Sequence, residues 1–254
     1  MFIVLVLYGT SALAVGWRDR VGEGDELYSK RHELNKGREN LQEAIGRYKE
    51  ALRGISEGDE KGCSEIKTRL SRAYFKLAYY FVEEGKERLK ACEEGERWAK
   101  GAIEADPQNP EAHYWKAVNL GLYRDMKRYS FRGGLTGGEI KEGFREAAAL
   151  DERGLYGAYH MRLAEYLMAR GDIEEAKKHA TRAVDIEPRF LYNQIVLAEV
   201  LWENGDKAGS KGRLEYITSQ PEDVLPSEIL ENREIIEKAK RILRDFKEGK
   251  DPDW

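Results

Sequence analysis

Cysteine is nearly missing from this 254-residue chain, with Cys63 and Cys92 its only two. So few exclude a disulfide-stapled fold and a cysteine metal cluster. If residues 64–84 and 86–105 form a hairpin turning near Gly85, the helical rise puts Cys63 ~33 Å from the turn and Cys92 ~10 Å. Bridged Cα atoms lie within ~7 Å of each other, so both are expected as free, mostly buried thiols. The four histidines are scattered, no metal ligand set is spaced for binding, and no cofactor is expected. An excess of one charge is also lacking. Charged residues are 35% of the chain, the signs are interspersed and the net charge is −4, which argues against a nucleic-acid partner. Asn and Gln are scarce beside Glu, Lys and Arg, a bias that fits a hot environment. Six prolines and no segment that reads as a strand point to helix throughout.

Long apolar runs are absent too, with one exception. "MFIVLVLYGTSALAVG" carries no charge before Arg18. It is shorter than the ~20 apolar residues that span a bilayer, and it ends in Ala12-Leu13-Ala14, a small-x-small cleavage pattern. Residues 1–14 therefore read as an export signal. The mature chain would be periplasmic or secreted; the alternative is an uncleaved N-terminal membrane anchor.

What is present is a repeat. Leu163, Ala164, Glu165, Leu167, Gly171 and Asp172 recur 34 residues later as Leu197, Ala198, Glu199, Leu201, Gly205 and Asp206. That is the period of the tetratricopeptide repeat, a helix–turn–helix unit. Leu163 and Leu167 share one helix face. Gly171 suits the left-handed turn, and Asp172 is placed to cap the second helix. Ala176 and Ala183 keep the seam thin, and Pro188 ends the unit. The template extends upstream with insertions: about five extra residues between Gly85 and Gly95, and about eleven in "RDMKRYSFRGGLTGG", after which Thr136 and Glu139 form a capping box. The predicted fold is an all-α solenoid over residues 24–246. It has about five hairpins, roughly 24–54, 64–107, 110–152, 157–188 and 191–218. A closing helix over 226–246 and a disordered tail over 247–254 complete it.

No catalytic constellation emerges. "GGLTGG" lacks the Lys-Ser/Thr ending of a phosphate loop, and Glu/Lys pairs at i,i+4 read as solvated faces. His113 and His160 occupy positions where the template wants a large packed residue. The chain is not expected to be an enzyme. The first helices of such units line a concave groove. Carried onto this chain, those positions are Phe75, Tyr79, Tyr114, Val118, Met161, Glu165, Met168, Tyr192, Ile195, Glu199 and Trp202. Aromatics and methionine suit an adaptable binding surface. In "EAHYWKAVNLGLY" (111–123), Tyr114 and Val118 face the groove, while Trp115, Asn119 and Tyr123 form a further stripe against a neighbouring unit or the long loop. Asn119 there either ties down loop backbone or hydrogen-bonds a ligand, because an unpaired buried amide costs ~1–3 kcal/mol.

"NPEAHYWKAVNLGLY", preceded by "AIEADP", resembles the T-component of TRAP (tripartite ATP-independent periplasmic) transporters. "DIEPRFLYNQIVLAEVLWENGDKAGS" and "NREIIEKAKRIL" are similar to that family's later units and closing helix. The resemblance covers roughly residues 25–246 and matches Tyr114, Trp115 and Asn119. It implies an exported, non-enzymatic transporter accessory that associates with a periplasmic solute-binding protein and handles an apolar ligand. The alternative is a general cell-envelope scaffold for proteins. Neither the ligand nor the oligomeric state follows from the residues.

Overall fold

The computed structural model describes residues 16–83, 85–126 and 137–254. The export signal expected over 1–14, and Thr136 of the expected capping box, lie outside them. Five helical hairpins follow one another: α1 (Trp17–Ser29) with α2 (Gly37–Arg53), α3 (Glu60–Lys76) with α4 (Lys86–Ala105), α5 (Pro110–Met126) with α6 (Gly137–Leu150), α7 (Ala158–Met168) with α8 (Ile173–Ile186), and α9 (Leu191–Glu203) with α10 (Lys207–Ser219). A last helix, α11 (Ile229–Lys247), closes the chain. Among the described residues there is no strand, and no helix is long and apolar enough to cross a membrane. The all-α solenoid is as predicted, although the first helix starts earlier than the repeat template placed it.

The repeated residues build the frame. Leu163, Leu167, Leu197 and Leu201 are buried, each worth roughly 1.5–3 kcal/mol of transfer free energy. Ala176, Ala180 and Ala183 on α8 are buried almost completely, so the neighbouring helices approach closely. Gly171 and Gly205 take φ of +83° and +81°, the left-handed conformation that glycine adopts most readily. Asp206 caps α10 by accepting from the Gly209 amide at 2.8 Å, as Asp59 does for α3 from Gly62 at 2.9 Å. Asp172 departs from its predicted role: it occupies the cap position of α8 but accepts no capping hydrogen bond.

The apolar interior is not continuous. The larger core runs from Phe75 to Ile242, while a separate one, from Val21 to Ala73, holds the first hairpin and the outer face of α3. Ala78, Ala91 and Cys92 form a small third cluster. Both cysteines are free, and burial pushes the Cys92 thiol up to about 12. The tail expected to be disordered folds back, with Trp254 partly buried against the larger core.

Helix α11 does more than cap the end. Its Phe246 stacks on Trp202 of α9 at 4.6 Å between ring centres. Its first turn reaches the opposite end of the solenoid, where the buried Glu231 carboxylate accepts from Lys76 Nζ at 2.7 Å and from Arg31 Nη2 at 3.0 and 3.1 Å. The trough expected to lie open is therefore covered at its C-terminal end, and the two ends of the superhelix touch.

Candidate functional site

Two irregular turns shape the inside of this closed superhelix. Helix α3 runs into a π-helical turn, Leu77–Phe81, a wider coil with i→i+5 hydrogen bonding. Tyr79 of this turn stacks on Phe75 at 5.7 Å and meets Tyr80 edge-on at 4.8 Å. Between α6 and α7, Leu155 (φ 44°) and Tyr156 (φ 59°) are left-handed, which costs a non-glycine residue roughly 1–2 kcal/mol. Gly157 follows at φ +80°, where a Cβ would come within 2.8 Å of the Ala183 carbonyl. Asn193 Nδ2 holds this turn by donating to the carbonyls of Tyr156 and Ala183, both at 2.8 Å.

The turns and the first helices enclose a partitioned hollow. One chamber of about 320 Å³ is bounded by Phe75, Tyr79, Val118, Phe144, Arg162 and Glu165 among others. A second, of about 510 Å³, is bounded by Tyr28, Arg72, Tyr114, Trp115, Tyr156 and Phe190, with Arg31, Lys76, Ser227 and Glu228 along one side. Between them a crevice of about 40 Å³ is lined by Phe75, Tyr79, Tyr114, Trp115, Met161 and Tyr192. This partition is mostly aromatic, with Lys76, Arg162 and Glu231 at its edges. Tyr114 lies 4.9 Å from Trp115, 5.2 Å from Tyr159 and 5.8 Å from Phe144, ring centre to ring centre. Each chamber falls in the size range of small-molecule sites.

Charge is placed sparingly around these rings. Arg162 donates to Glu165 at 2.7 Å and lies over the Tyr192 ring at 5.0 Å, and its Nε has no acceptor. Protein surrounds it, yet its side chain is 23% exposed because it faces the chamber. The Glu165 charge, together with burial, pushes the Tyr192 hydroxyl upward. Around the second chamber Arg31 Nε, Arg72 Nε and Trp115 Nε1 are buried donors without a protein acceptor. Burial alone would raise the Glu231 carboxyl, but Lys76 and Arg31 outweigh it and hold it at about 2. Burial lifts the Glu199 carboxyl to about 7, with Lys238 opposing and Glu165 and Glu203 adding.

Seven of the residues expected to bind converge here: Phe75, Tyr79, Tyr114, Trp115, Met161, Glu165 and Tyr192 all line the chambers or the crevice. Tyr114, Trp115 and Met161 are also buried core residues, so they hold the partition as well as face the hollow. The other five lie elsewhere. Asn119 is fully buried and ties α5 to α3, donating to Ser71 Oγ at 3.1 Å and to the Trp115 carbonyl at 2.8 Å. It serves neither a loop nor a cavity. Tyr123 packs on the small cluster around Cys92. Ile195 is core, Met168 rests against the same core, and Trp202 lies beneath Phe246. His160 and His179 face each other, Nδ1 to Nδ1 at 3.0 Å, outside the hollow.

Sequence reasoning missed Arg162, Arg31, Arg72, Lys76 and the left-handed turn. Arg162 follows Met161, a position the template points inward. Gly157 was the one visible sign of a special backbone. The ion cluster carries no local signal, because its members stand 155 and 200 residues apart.

Comparison with solved structures shows a shared fold. A thermophilic tetratricopeptide-repeat protein of Thermus thermophilus superposes with a TM-score of 0.64 at 14% identity, over 89% of this chain and 99% of that one. Two looser likenesses are MamA (0.48, 15% identity, 85% of this chain and 96% of that one) and YrrB, described as having an unusual peptide-binding site (0.46, 12% identity, 87% and 90%). No curated protein matches the sequence. Nothing in these comparisons supports the T-component resemblance. The family model described as regulator of microtubule dynamics protein 1-3 matches residues 22–246, and the chain belongs to that family.

Proposed function

We propose that this protein is a non-enzymatic binding module that holds an apolar-bodied ligand in its interior hollow and engages a protein partner through its outer helices. The observation that carries the reading is the aromatic partition between two chambers. Aromatic side chains from α3, α5, α7 and α9 meet there around open volume, where a purely structural core would be filled. The fold supports a scaffold role, since stacked hairpins offer extended surfaces for partners, and the family description names a regulator. The narrower reading, an accessory to a periplasmic solute-binding protein, rests on the T-component resemblance and on the apolar run at residues 1–14. Native mass spectrometry of the purified full chain tests the interior site. A retained apolar molecule that is lost on Tyr79→Ala plus Tyr192→Ala replacement is the expected result. Bare protein that also fails to take up Nile red would leave only the scaffold.

A further inference from the structure

Among the described residues, the contact that joins the two ends of the solenoid is built differently from the rest. Neighbouring hairpins meet through apolar seams with polar contacts at their margins, such as Asp25 with Arg69 and Arg72. The first hairpin and the end of α3 meet the start of α11 through charge: Arg31 donates to Glu231 and, at 2.6 Å, to the Ser227 carbonyl, and Lys76 donates to Glu231. Arg31 and Glu231 are 2% and 3% exposed, so water is excluded. Yet on the Arg31 side of the seam the two apolar cores do not join. The N-terminal core has no member from α11, and α11 packs only into the larger one.

A buried ion cluster fixes geometry strongly but adds little net stability, since desolvation offsets most of the attraction. Separating this seam would return the charges to water and expose little apolar surface. Both cores would survive, so the opening belongs to the low-energy local class and not to global unfolding. The seam is also the wall of the larger chamber, which Arg31, Lys76, Ser227 and Glu228 line. Across its mouth the Tyr156 hydroxyl lies 3.4 Å from Ser227 Oγ, on the left-handed turn.

We infer that the Arg31–Lys76–Glu231 cluster is a latch, and that its release lets the 226–231 segment swing away and admit ligand to the larger chamber. The inference rests on the binding role proposed above and assigns that site its route of access. It is tested on the full chain with Glu231→Gln, which leaves two cations without their carboxylate, and with Arg31→Lys, which keeps the charge but loses the fork. Hydrogen exchange is followed at every amide, and Nile red uptake by stopped flow. The expected result is exchange at least tenfold faster over residues 226–236, unchanged exchange over 191–203, and dye uptake at least tenfold faster. Unchanged exchange at the seam overturns the latch, as does a uniform rise throughout the chain, which would make the cluster a general strut. A loosened seam with unchanged uptake overturns the gating while leaving the binding role standing. A loosened seam with no dye bound by any form overturns the binding role itself. Should Glu231→Gln lose its helical circular dichroism, the Arg31→Lys chain carries the same readouts.

Discussion

In the hairpins α7–α8 and α9–α10 each turn glycine sits where the template asks, and in α8 the seam is alanine, buried at Ala176, Ala180 and Ala183. In the hairpins α3–α4 and α5–α6 the same template is stretched. A π-helical turn ends the first helix of one, and the connection in the other is overlong. The regular pairs close tightly around their alanine and leucine seams. The stretched pairs supply Phe75, Tyr79, Val118 and Phe144, which bound the smaller chamber. Repetition builds the frame, and departure from repetition makes room inside it.

The sharpest way to break that contrast is to truncate one residue from each class. Leu197→Ala, in the regular part, removes a buried side chain from a tight core and should cost about 3 kcal/mol in urea unfolding. Tyr79→Ala, at the rim of the chamber, should cost under about 1 kcal/mol while weakening Nile red binding about tenfold. Equal stability costs would show that the stretched hairpins are packed no differently. A second substitution tests the junction between the stretched hairpins. A Cβ on Gly95 would overlap the Asn119 amide, so Gly95→Ala should cost about 2 kcal/mol. In an Asn119→Ala background that cost should shrink, because the two residues share one space.

Two titrations sharpen the comparison further. The Glu199 carboxyl is raised in the folded state to about 7, so between its unfolded value and pH 7 the folded chain binds the extra proton. Stability contributed there falls as pH rises. Glu199→Gln should therefore stabilise the protein by about 1–2 kcal/mol at pH 8 and leave it unchanged at pH 4. Burial lowers the pKa of both His160 and His179, and for His160 its neighbour's charge adds to the effect. Here the unfolded chain takes up protons first, so stability is lost as pH falls through the histidine range. His179→Gln should soften that acid-side loss, an effect of about 0.5 kcal/mol or less. Melting temperatures measured from pH 4 to pH 8 separate the two, because their slopes have opposite signs.

The frame could be read from the residues because its determinants are local. Leu163 with Leu167, and the Gly-Asp pair after each first helix, carry their spacing in the sequence itself. The groove positions were half legible for the same reason: Phe75, Met161 and Tyr192 follow from the template's face. The stripe puts Asn119 against a neighbouring unit, but its role there is hidden, because its counterpart is a glycine on another hairpin, Gly95, whose contribution is the absence of a side chain. "LAYYF" is an ordinary helical stretch by composition, so nothing in it announces a π turn. The latch is hidden by abundance. With 47 acidic and 43 basic residues, no pattern marks Glu231 as the one that meets Arg31 and Lys76.

The π turn at Leu77–Phe81 amounts to a helix carrying one residue too many. Removing a single codon ahead of Tyr79 would restore ordinary winding and rotate the remaining side chains of the turn by about 100°. Tyr79 at the chamber rim and Tyr80 in the crevice would turn away together, while the leucine and alanine seams of the later hairpins stayed in place. An indel of three nucleotides would thus reshape one wall of the hollow.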